Sequence, residues 1–155
     1  MEELAINGGN PVRETMLPYG KQYIDYSDID AVTEALSDDY LTTGPKVEEF
    51  EKKIADYCGA KYAVSFSSGT AALHGAAYTA QLKKGCEVIT TSYSFAATAN
   101  CLLYRNTYPV FVDISKKTLN LSFKKVNAFI KKNYSHKNGV LINKKTKRVL
   151  AGIIP

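Results

Sequence analysis

Several features that would narrow the class of this protein are scarce or missing among its 155 residues. Three cysteines, an odd number without metal-ligand spacing, predict reduced thiols rather than a disulfide framework or a metal site. No apolar run approaches the ~20 residues of a membrane-spanning helix, and we expect no secretory signal because the first residues lack an apolar stretch. The sequence therefore predicts a cytoplasmic protein without a membrane partner, long enough to bury one globular core.

Acidic residues are absent from residues 115–155, which carry 11 lysine or arginine residues. The preceding 114 residues hold 15 acidic and 9 basic side chains. A basic stretch can mark a surface that binds nucleic acid or other anions. Here the lysines come mostly as pairs, one aromatic residue adjoins a pair, and no nucleic-acid-binding motif is present. We therefore favour a solvated face and do not expect a nucleic-acid partner, with an anion-binding tail as the alternative.

Two helices are predicted in the first third of the chain. Ser27 precedes an apolar stripe at helical spacing, which predicts a helix over 28–37 with Ser27 as its cap. Pro45 suits the first position of a second helix, and Gly59 suits its end. Residues 1–26 contain no such pattern, so we expect an irregular arm there, followed by an incomplete domain over 27–155.

From residue 61 onward, short apolar runs alternate with helical patterns. The runs at 62–66, 87–90 and 108–112 predict strands, and the segments between them predict a helix from residue 69 to Gly85 and another over 95–104. This alternation is typical of an α/β fold, a mostly parallel sheet with helices on both faces. Ser122 is expected to cap a further helix. The runs 140–142 and 148–154 predict either a hairpin or, for the second, another sheet strand.

The segment 64–73 carries the clearest chemical signal, because a predicted strand passes through a polar turn into a helix. The first amides of a helix lack intrahelical acceptors and lie at the positive end of its dipole. Gly69 would allow a phosphate to approach these amides closely. Taken alone, the same turn is more typical of an ordinary helix cap than of a ligand site. It matches neither the P-loop nor the dinucleotide-binding glycine pattern.

Eight short segments together resemble the DegT/DnrJ/EryC1/StrS family of sugar aminotransferases, in the order and spacing of that family. They are GGNPVR at 8–13, LPYGKQ at 17–22, YLTTGP at 40–45, AKYAV at 60–64, SSGTAALH at 67–74, EVITT at 87–91, SFAATAN at 94–100 and PVFVDI at 109–114. The resemblance implies part of the large domain of a pyridoxal-phosphate-dependent transferase with the aspartate-aminotransferase fold. Among the branches of this family, the eight segments most resemble the one that aminates UDP-4-keto-6-deoxy-N-acetylhexosamines.

The same resemblance implies roles for a few residues in binding pyridoxal 5'-phosphate. Gly69, Thr70 and Ala71 would line the cofactor phosphate through backbone amides, and Phe95 would stack on the pyridine ring. From the residues alone, a core aromatic at the start of a helix is the favoured reading of Phe95. The partners implied are a nucleotide sugar and glutamate, with an active site built across a homodimer.

Four further residues match segments that approach the sugar in the family. Tyr19, Thr43 and Gly44 would contact the substrate, although each also suits an ordinary turn. Asn100 would bond near the cofactor or satisfy local backbone groups, and the residues favour neither reading.

The resemblance also implies that the cofactor-binding lysine and the aspartate at the pyridinium nitrogen follow the last segment matched here. We expect this chain to lack both and to be inactive alone. An alternative is a non-catalytic remnant or binding module that pairs with a full-length relative.

Overall fold

The computed structural model describes residues 3–155, which form two compact units divided after Gly59. The first unit contains a short 3₁₀ helix at Ala5–Asn7, helix α1 (Tyr26–Ser37) and helix α2 (Pro45–Cys58). The helices of the second unit are α3 (Gly69–Thr79), α4 (Ala97–Tyr104) and α5 (Phe123–Asn133). Its strands are β1 (Glu87–Thr90), β2 (Tyr108–Phe111), β3 (Tyr134–Lys137), β4 (Val140–Asn143) and β5 (Leu150–Ile153).

The predicted division into an arm of residues 1–26 and a domain over 27–155 stays a prediction. The first two residues of that arm lie outside the described residues. From residue 8 to Asp25 the chain has no regular helix or strand. None of the helices described between residues 3 and 155 is long and apolar enough to cross a membrane.

Both helices predicted in the first unit are confirmed, but the predicted cap of α1 is wrong. Asp25 rather than Ser27 caps this helix, and its carboxylate accepts hydrogen bonds from the amides of Ser27 at 2.9 Å and Asp28 at 3.4 Å. The Asp28 carboxylate accepts in return from the Asp25 amide at 3.0 Å, which completes a capping box two residues earlier than expected. Helix α2 begins at Pro45 and ends before Gly59, as predicted.

The second unit is built on a parallel three-stranded sheet in the order β2-β1-β5. Strand β1 lies in the centre, and all four of its residues are buried. The predicted strands at 87–90 and 108–112 are thereby confirmed, as is the parallel α/β fold. The predicted strand at 62–66 is wrong: none of the described strands pairs with this segment, and its large apolar side chains are mostly exposed. Without a neighbour to complete the hydrogen-bond ladder, an apolar run cannot form a sheet strand.

Helices cover both faces of this sheet. Neighbouring side chains of β1 point to opposite faces, and all of them are buried, so each face is packed against a helix. Val88 faces one side and Ile89 the other, and each is almost inaccessible to solvent. Val88 packs in a cluster with α3 and α4, through Ala77, Cys101 and Leu102. Ile89 packs in a second cluster beneath α5, with Val112, Leu121 and Val126.

Helix boundaries in the second unit differ from the predicted ones at two places. Helix α3 ends at Thr79 rather than at Gly85, because Gln81 adopts a left-handed conformation with φ of 52° that stops the helix. Helix α4 begins at Ala97, so Phe95 precedes it instead of opening it. Ser122 caps α5 as predicted, and its hydroxyl accepts from the Lys125 amide at 3.4 Å.

The structure decides between the two alternatives for the last part of the chain. Strand β5 pairs with β1, so the second apolar run is a sheet strand. The first run forms β4 and pairs antiparallel with β3, a strand that the sequence did not predict. Asn138 and Gly139 connect these strands, both with positive φ, which is the geometry of a tight hairpin turn.

Candidate functional site

The turn before α3 presents hydrogen-bond donors to solvent. Ser68 caps the helix: its hydroxyl accepts from the Ala71 amide at 3.2 Å and its carbonyl from the Ala72 amide at 3.0 Å. The amides of Gly69 and Thr70, at the first helical positions, remain without an intrahelical acceptor at the positive end of the helix dipole. A Cβ placed on Gly69 would meet no atom within 4 Å, so the surface at this glycine is open.

This set of donors fits a phosphate group. Two free amides at the positive end of the helix dipole lie in a turn that also contains the hydroxyl-bearing residues Ser67, which is exposed, and Thr70, which is partly exposed. Of the three residues predicted to line the cofactor phosphate, Gly69 and Thr70 have available amides. The Ala71 amide is already bonded to Ser68, so a phosphate would have to displace that hydroxyl to reach it. The three roles stay predictions.

Phe95 lies in the loop that joins the carboxyl end of β1 to α4. Its side chain is 79% exposed, which is inconsistent with the alternative of a core aromatic. Short hydrogen bonds order the loop around it: the Tyr93 amide donates to Thr91 Oγ1 at 3.1 Å, and the hydroxyls of Ser94 and Thr98 lie 2.8 Å apart. In parallel sheets, ligands bind at the carboxyl ends of the strands. Phe95 therefore lies at the edge of the sheet where ligands bind in such folds, and its stacking role stays a prediction.

Helices α3 and α4 pack side by side on the same face of β1. Ala77 joins them through Cys101 and Leu102, and the rings of His74 and Tyr104 make an edge-to-face contact with centroids 5.1 Å apart. The two predicted cofactor segments thus lie at the amino ends of neighbouring helices: Gly69 opens α3, and Phe95 lies two residues before α4. Their joint action on one ligand stays a prediction.

Two polar residues of this region have unused hydrogen-bonding capacity. Asn100 is half-buried in α4, and its side chain makes no hydrogen bond within residues 3–155. Thr90, the last residue of β1, is fully buried, and its hydroxyl has no partner among the described atoms. A buried polar group without a partner is unusual in native proteins. Thr90 is a candidate functional residue that sequence reasoning missed, since a threonine that ends a strand carries no distinctive signal.

Thr43 and Gly44, two of the predicted substrate residues, line one cavity of about 420 Å³ in the first unit. Thr43 has φ of 51°, a left-handed conformation that is rare for a β-branched residue and that clusters at functional sites. A Cβ at Gly44 would lie 2.6 Å from the carbonyl oxygen of Tyr40, so only glycine fits there. Tyr19 is fully exposed in the irregular segment and is not among the lining residues of this cavity. The four substrate roles stay predictions.

Comparison with known proteins identifies the family. Residues 22–142 match the profile of the DegT/DnrJ/EryC1/StrS aminotransferase family. The chain belongs to this family. This confirms the resemblance drawn from the eight sequence segments.

Curated members of the family share close to half of their aligned residues with this chain. The UDP-4-amino-4,6-dideoxy-N-acetyl-beta-L-altrosamine transaminase of Campylobacter jejuni is 48% identical over 118 residues, which are 76% of this chain and 31% of that protein. The spore coat polysaccharide biosynthesis protein SpsC of Bacillus subtilis is 42% identical over 118 residues, or 76% of this chain and 30% of that protein. The chain thus spans about a third of the length of these relatives.

Solved structures of aminotransferases have the same fold as most of this chain. A DegT DnrJ EryC1 StrS aminotransferase from Brucella abortus superposes with a TM-score of 0.69 at 29% identity, over 82% of this chain and 32% of that one. Helicobacter pylori PseC, described as an aminotransferase in pseudoaminic acid biosynthesis, superposes with a TM-score of 0.59 at 36% identity. The latter match covers 63% of this chain and 27% of that chain.

Proposed function

We propose that this chain supplies the phosphate-binding and ring-stacking part of a pyridoxal-phosphate-dependent aminotransferase that acts on a nucleotide sugar. The observation that carries the proposal is the pair of free amides on Gly69 and Thr70 at the open start of α3, in a chain of the DegT family. Free amides at a helix start bind oxygen anions such as phosphate. Solved relatives with the same fold are described in pyridoxal-phosphate and pyridoxamine-phosphate forms, which supports this cofactor.

In this proposal the residues of the chain bind and orient the cofactor. Gly69 and Thr70 donate to its phosphate, and Phe95 stacks on one face of its ring, an interaction of ~0.5–1.5 kcal/mol beyond area burial. When bound, pyridoxal phosphate supplies an electron sink for the bond broken at the amino donor. Because these residues hold the phosphate and one face of the ring, they also fix the orientation of the opposite face. That face would be accessible to the reacting groups of the complete protein.

The substrates of the complete protein belong to the same proposal. Glutamate donates the amino group, and the acceptor is a 4-keto nucleotide sugar of the UDP-4-keto-6-deoxy-N-acetylhexosamine type. The 48% identity to the Campylobacter transaminase supports this class of sugar. Thr43 and Gly44, in their cavity, together with Tyr19 and Asn100, are the residues proposed to approach it.

Assembly with a second chain, or with the remaining part of the protein, completes the proposal. Helix α1 exposes the apolar stripe of Ile29, Val32 and Leu36, which a partner surface would cover. We place the protein in the cytoplasm as a homodimer or as one part of a larger assembly.

The cofactor role is tested by titrating the isotope-labelled chain with pyridoxal phosphate and following its amide signals by NMR. The amide signals of Gly69 and Thr70 should shift and saturate, whereas pyridoxal, which lacks the phosphate, should leave them unchanged. Phe95→Leu should weaken binding ~2–10-fold. The matched control is Phe123→Leu, an exposed phenylalanine at the start of α5 on the opposite face of the sheet.

Equal shifts with pyridoxal and pyridoxal phosphate, or shifts confined to other residues, would contradict the phosphate site. The sugar class is tested separately in the complete protein, by assaying amino transfer from glutamate to a UDP-4-keto-6-deoxy-N-acetylhexosamine. Activity with a different keto sugar alone would overturn the choice of acceptor and leave the cofactor site standing.

A further inference from the structure

A buried carboxylate at the amino end of β1 connects the central sheet to the hairpin formed by β3 and β4. Glu87 is only 2% exposed, and its two oxygens accept three side-chain hydrogen bonds. Oε2 accepts from the Tyr134 hydroxyl at 2.5 Å and from Asn143 Nδ2 at 2.9 Å, and Oε1 accepts from the Thr146 hydroxyl at 2.6 Å. The three donors lie in one segment of the chain: Tyr134 in β3, Asn143 in β4 and Thr146 in the turn that follows β4. We call residues 134–148, which connect α5 to β5, the excursion.

The donors are oriented toward Glu87 by bonds within the excursion itself. The Asn143 side-chain oxygen accepts from the amides of Lys145 at 2.9 Å and Thr146 at 3.2 Å, which turns its amide nitrogen toward the carboxylate. A carboxylate offers acceptors on both oxygens, and three donors match that capacity. A neutral amide in its place would offer one acceptor and would direct its own N–H groups at the remaining donors.

Few other buried contacts hold this hairpin. On β3 only Tyr134 is buried, and the residues of β4 are exposed or partly exposed. A two-stranded hairpin is marginally stable by itself in water. The hydrogen bonds to Glu87 are therefore a large share of what fixes the excursion to the sheet.

The charged and titratable groups that face Glu87 are Tyr134 on β3 and Arg148, just before β5. The Arg148 guanidinium lies over the ring of Tyr108, 3.5 Å from its centroid, and Tyr108 is the partner of Glu87 on β2. Burial raises the pKa of Glu87, but the hydrogen bonds from Thr146, Tyr134 and Asn143 together lower this pKa below its ordinary value. The ionised form is thus the form that the surroundings stabilise.

We propose that the Glu87 carboxylate is a latch that holds residues 134–148 on the sheet, and that its neutralisation releases this segment while the β2-β1-β5 sheet stays paired. The sheet has its own backbone ladders, in which β1 pairs with β2 over four residues and with β5. Within residues 3–155, the segment 134–148 forms no comparable ladder with the sheet. It contributes one isolated bridge, between Ile142 and Val149.

Hydrogen exchange on the whole 155-residue chain tests this proposal, with Glu87→Gln compared with the natural sequence. Amides in residues 135–147 should exchange about tenfold faster or more, because a hydrogen-bonded charge is lost. Amides in β1 and α4 should change by less than about twofold. The control is Glu48→Gln, the same change at an exposed position of α2, which should alter neither region.

A parallel rise in exchange across the hairpin and the sheet, or no rise in the hairpin, would overturn the proposal. If Glu87→Gln does not fold, Tyr134→Phe and Thr146→Val remove single donors and should give the same local pattern at smaller size. For these two variants, too, a parallel rise across hairpin and sheet, or no rise in the hairpin, would overturn the proposal. Failure of the latch leaves the cofactor site at α3 untouched, because no residue is shared between the two.

Discussion

Consecutive residues can contribute very differently to the stability of the fold, as Leu102 and Leu103 of α4 illustrate. Leu102 is 0% exposed and lies in the cluster beneath α3 and α4, whereas Leu103 is 51% exposed. The helix repeat of 3.6 residues turns the second side chain away from the sheet. Chemical identity is the same at both positions, so any difference in effect comes from packing.

We expect Leu102→Ala to lower the free energy of unfolding by about 2–5 kcal/mol, because it removes apolar contacts and leaves a cavity. Leu103→Ala should change it by no more than ~0.5 kcal/mol. Equilibrium denaturation by urea measures both values. Equal losses for the two variants would mean that α4 does not pack on the sheet through Leu102.

The lowered pKa of Glu87 predicts a specific pH dependence of stability. A carboxyl whose pKa is lower in the folded state stabilises the protein above its ordinary value near 4.5, and this stabilisation is lost as the pH falls through the lowered folded value. Unfolding curves over roughly pH 3 to 7 should therefore be less steeply pH-dependent for Glu87→Gln than for the natural sequence. Parallel pH profiles would mean that Glu87 has the same pKa in both states.

At the scale of elements, the turns decide where strands and helices begin. Gly85 precedes β1 with φ of 86°, and its amide donates to the Asn106 carbonyl at 2.9 Å. Gly152 lies in β5 and has no such left-handed conformation. A Cβ would meet no atom within 4 Å at either position, so only the backbone conformation distinguishes them.

Gly85→Ala should therefore destabilise the chain by about 1–2 kcal/mol, the cost of a side chain in the left-handed region. Gly152→Ala should be neutral or slightly stabilising because alanine restricts the unfolded chain. Thermal unfolding of the two variants checks this. A similar loss at Gly152 would point to a hidden steric conflict in β5 instead.

The elements also show what the sequence could and could not predict. Pro45 and Gly59 bound α2 by fixed backbone preferences, and apolar runs between helical patterns predicted the parallel sheet. The strand at 62–66 failed because strand formation needs a neighbour, which composition cannot supply. Strand β3 was missed because Ser135, His136 and Lys137 are exposed and polar, so no apolar alternation marks them.

The candidate site likewise contains features that the sequence predicts and features that it does not. Free amides on Gly69 and Thr70 were predictable, since any turn into a helix leaves the first donors unpaired. The capture of the Ala71 amide by Ser68 was not, because the side chain of a cap can bond to either of two amides. The unpaired hydroxyl of Thr90 depends on three-dimensional burial alone.

At the scale of the whole molecule, apolar side chains on the surface are the dominant feature. Helix α2 exposes Val47, Phe50 and Ile54 on one stripe, and α1 carries a second stripe. Contiguous exposed apolar surface marks an interface or a tendency to aggregate. The chain taken alone is therefore expected to self-associate as its concentration rises, or to need a partner.

We expect the purified chain to self-associate and to bind a hydrophobic fluorescent dye. Phe50→Ser should reduce both effects, because it interrupts the stripe on α2. Val12→Ser, at an isolated exposed residue, should change neither. Sedimentation velocity and dye fluorescence measure these effects. A chain that stays monomeric and binds no dye would contradict this expectation.

The strand order β2-β1-β5 has a consequence for biosynthesis. Strand β1 acquires its second neighbour only when residues 150–153 have been synthesised. Until then the Glu87 amide lacks its hydrogen-bond acceptor, the Val149 carbonyl, which lies 2.8 Å away in the folded chain. Pairing across such a sequence distance is slow compared with local contacts. On the ribosome, β1 therefore has at most one neighbouring strand until more than sixty residues after it have been translated. During this interval one edge of β1 carries unpaired backbone groups that could pair with another nascent chain.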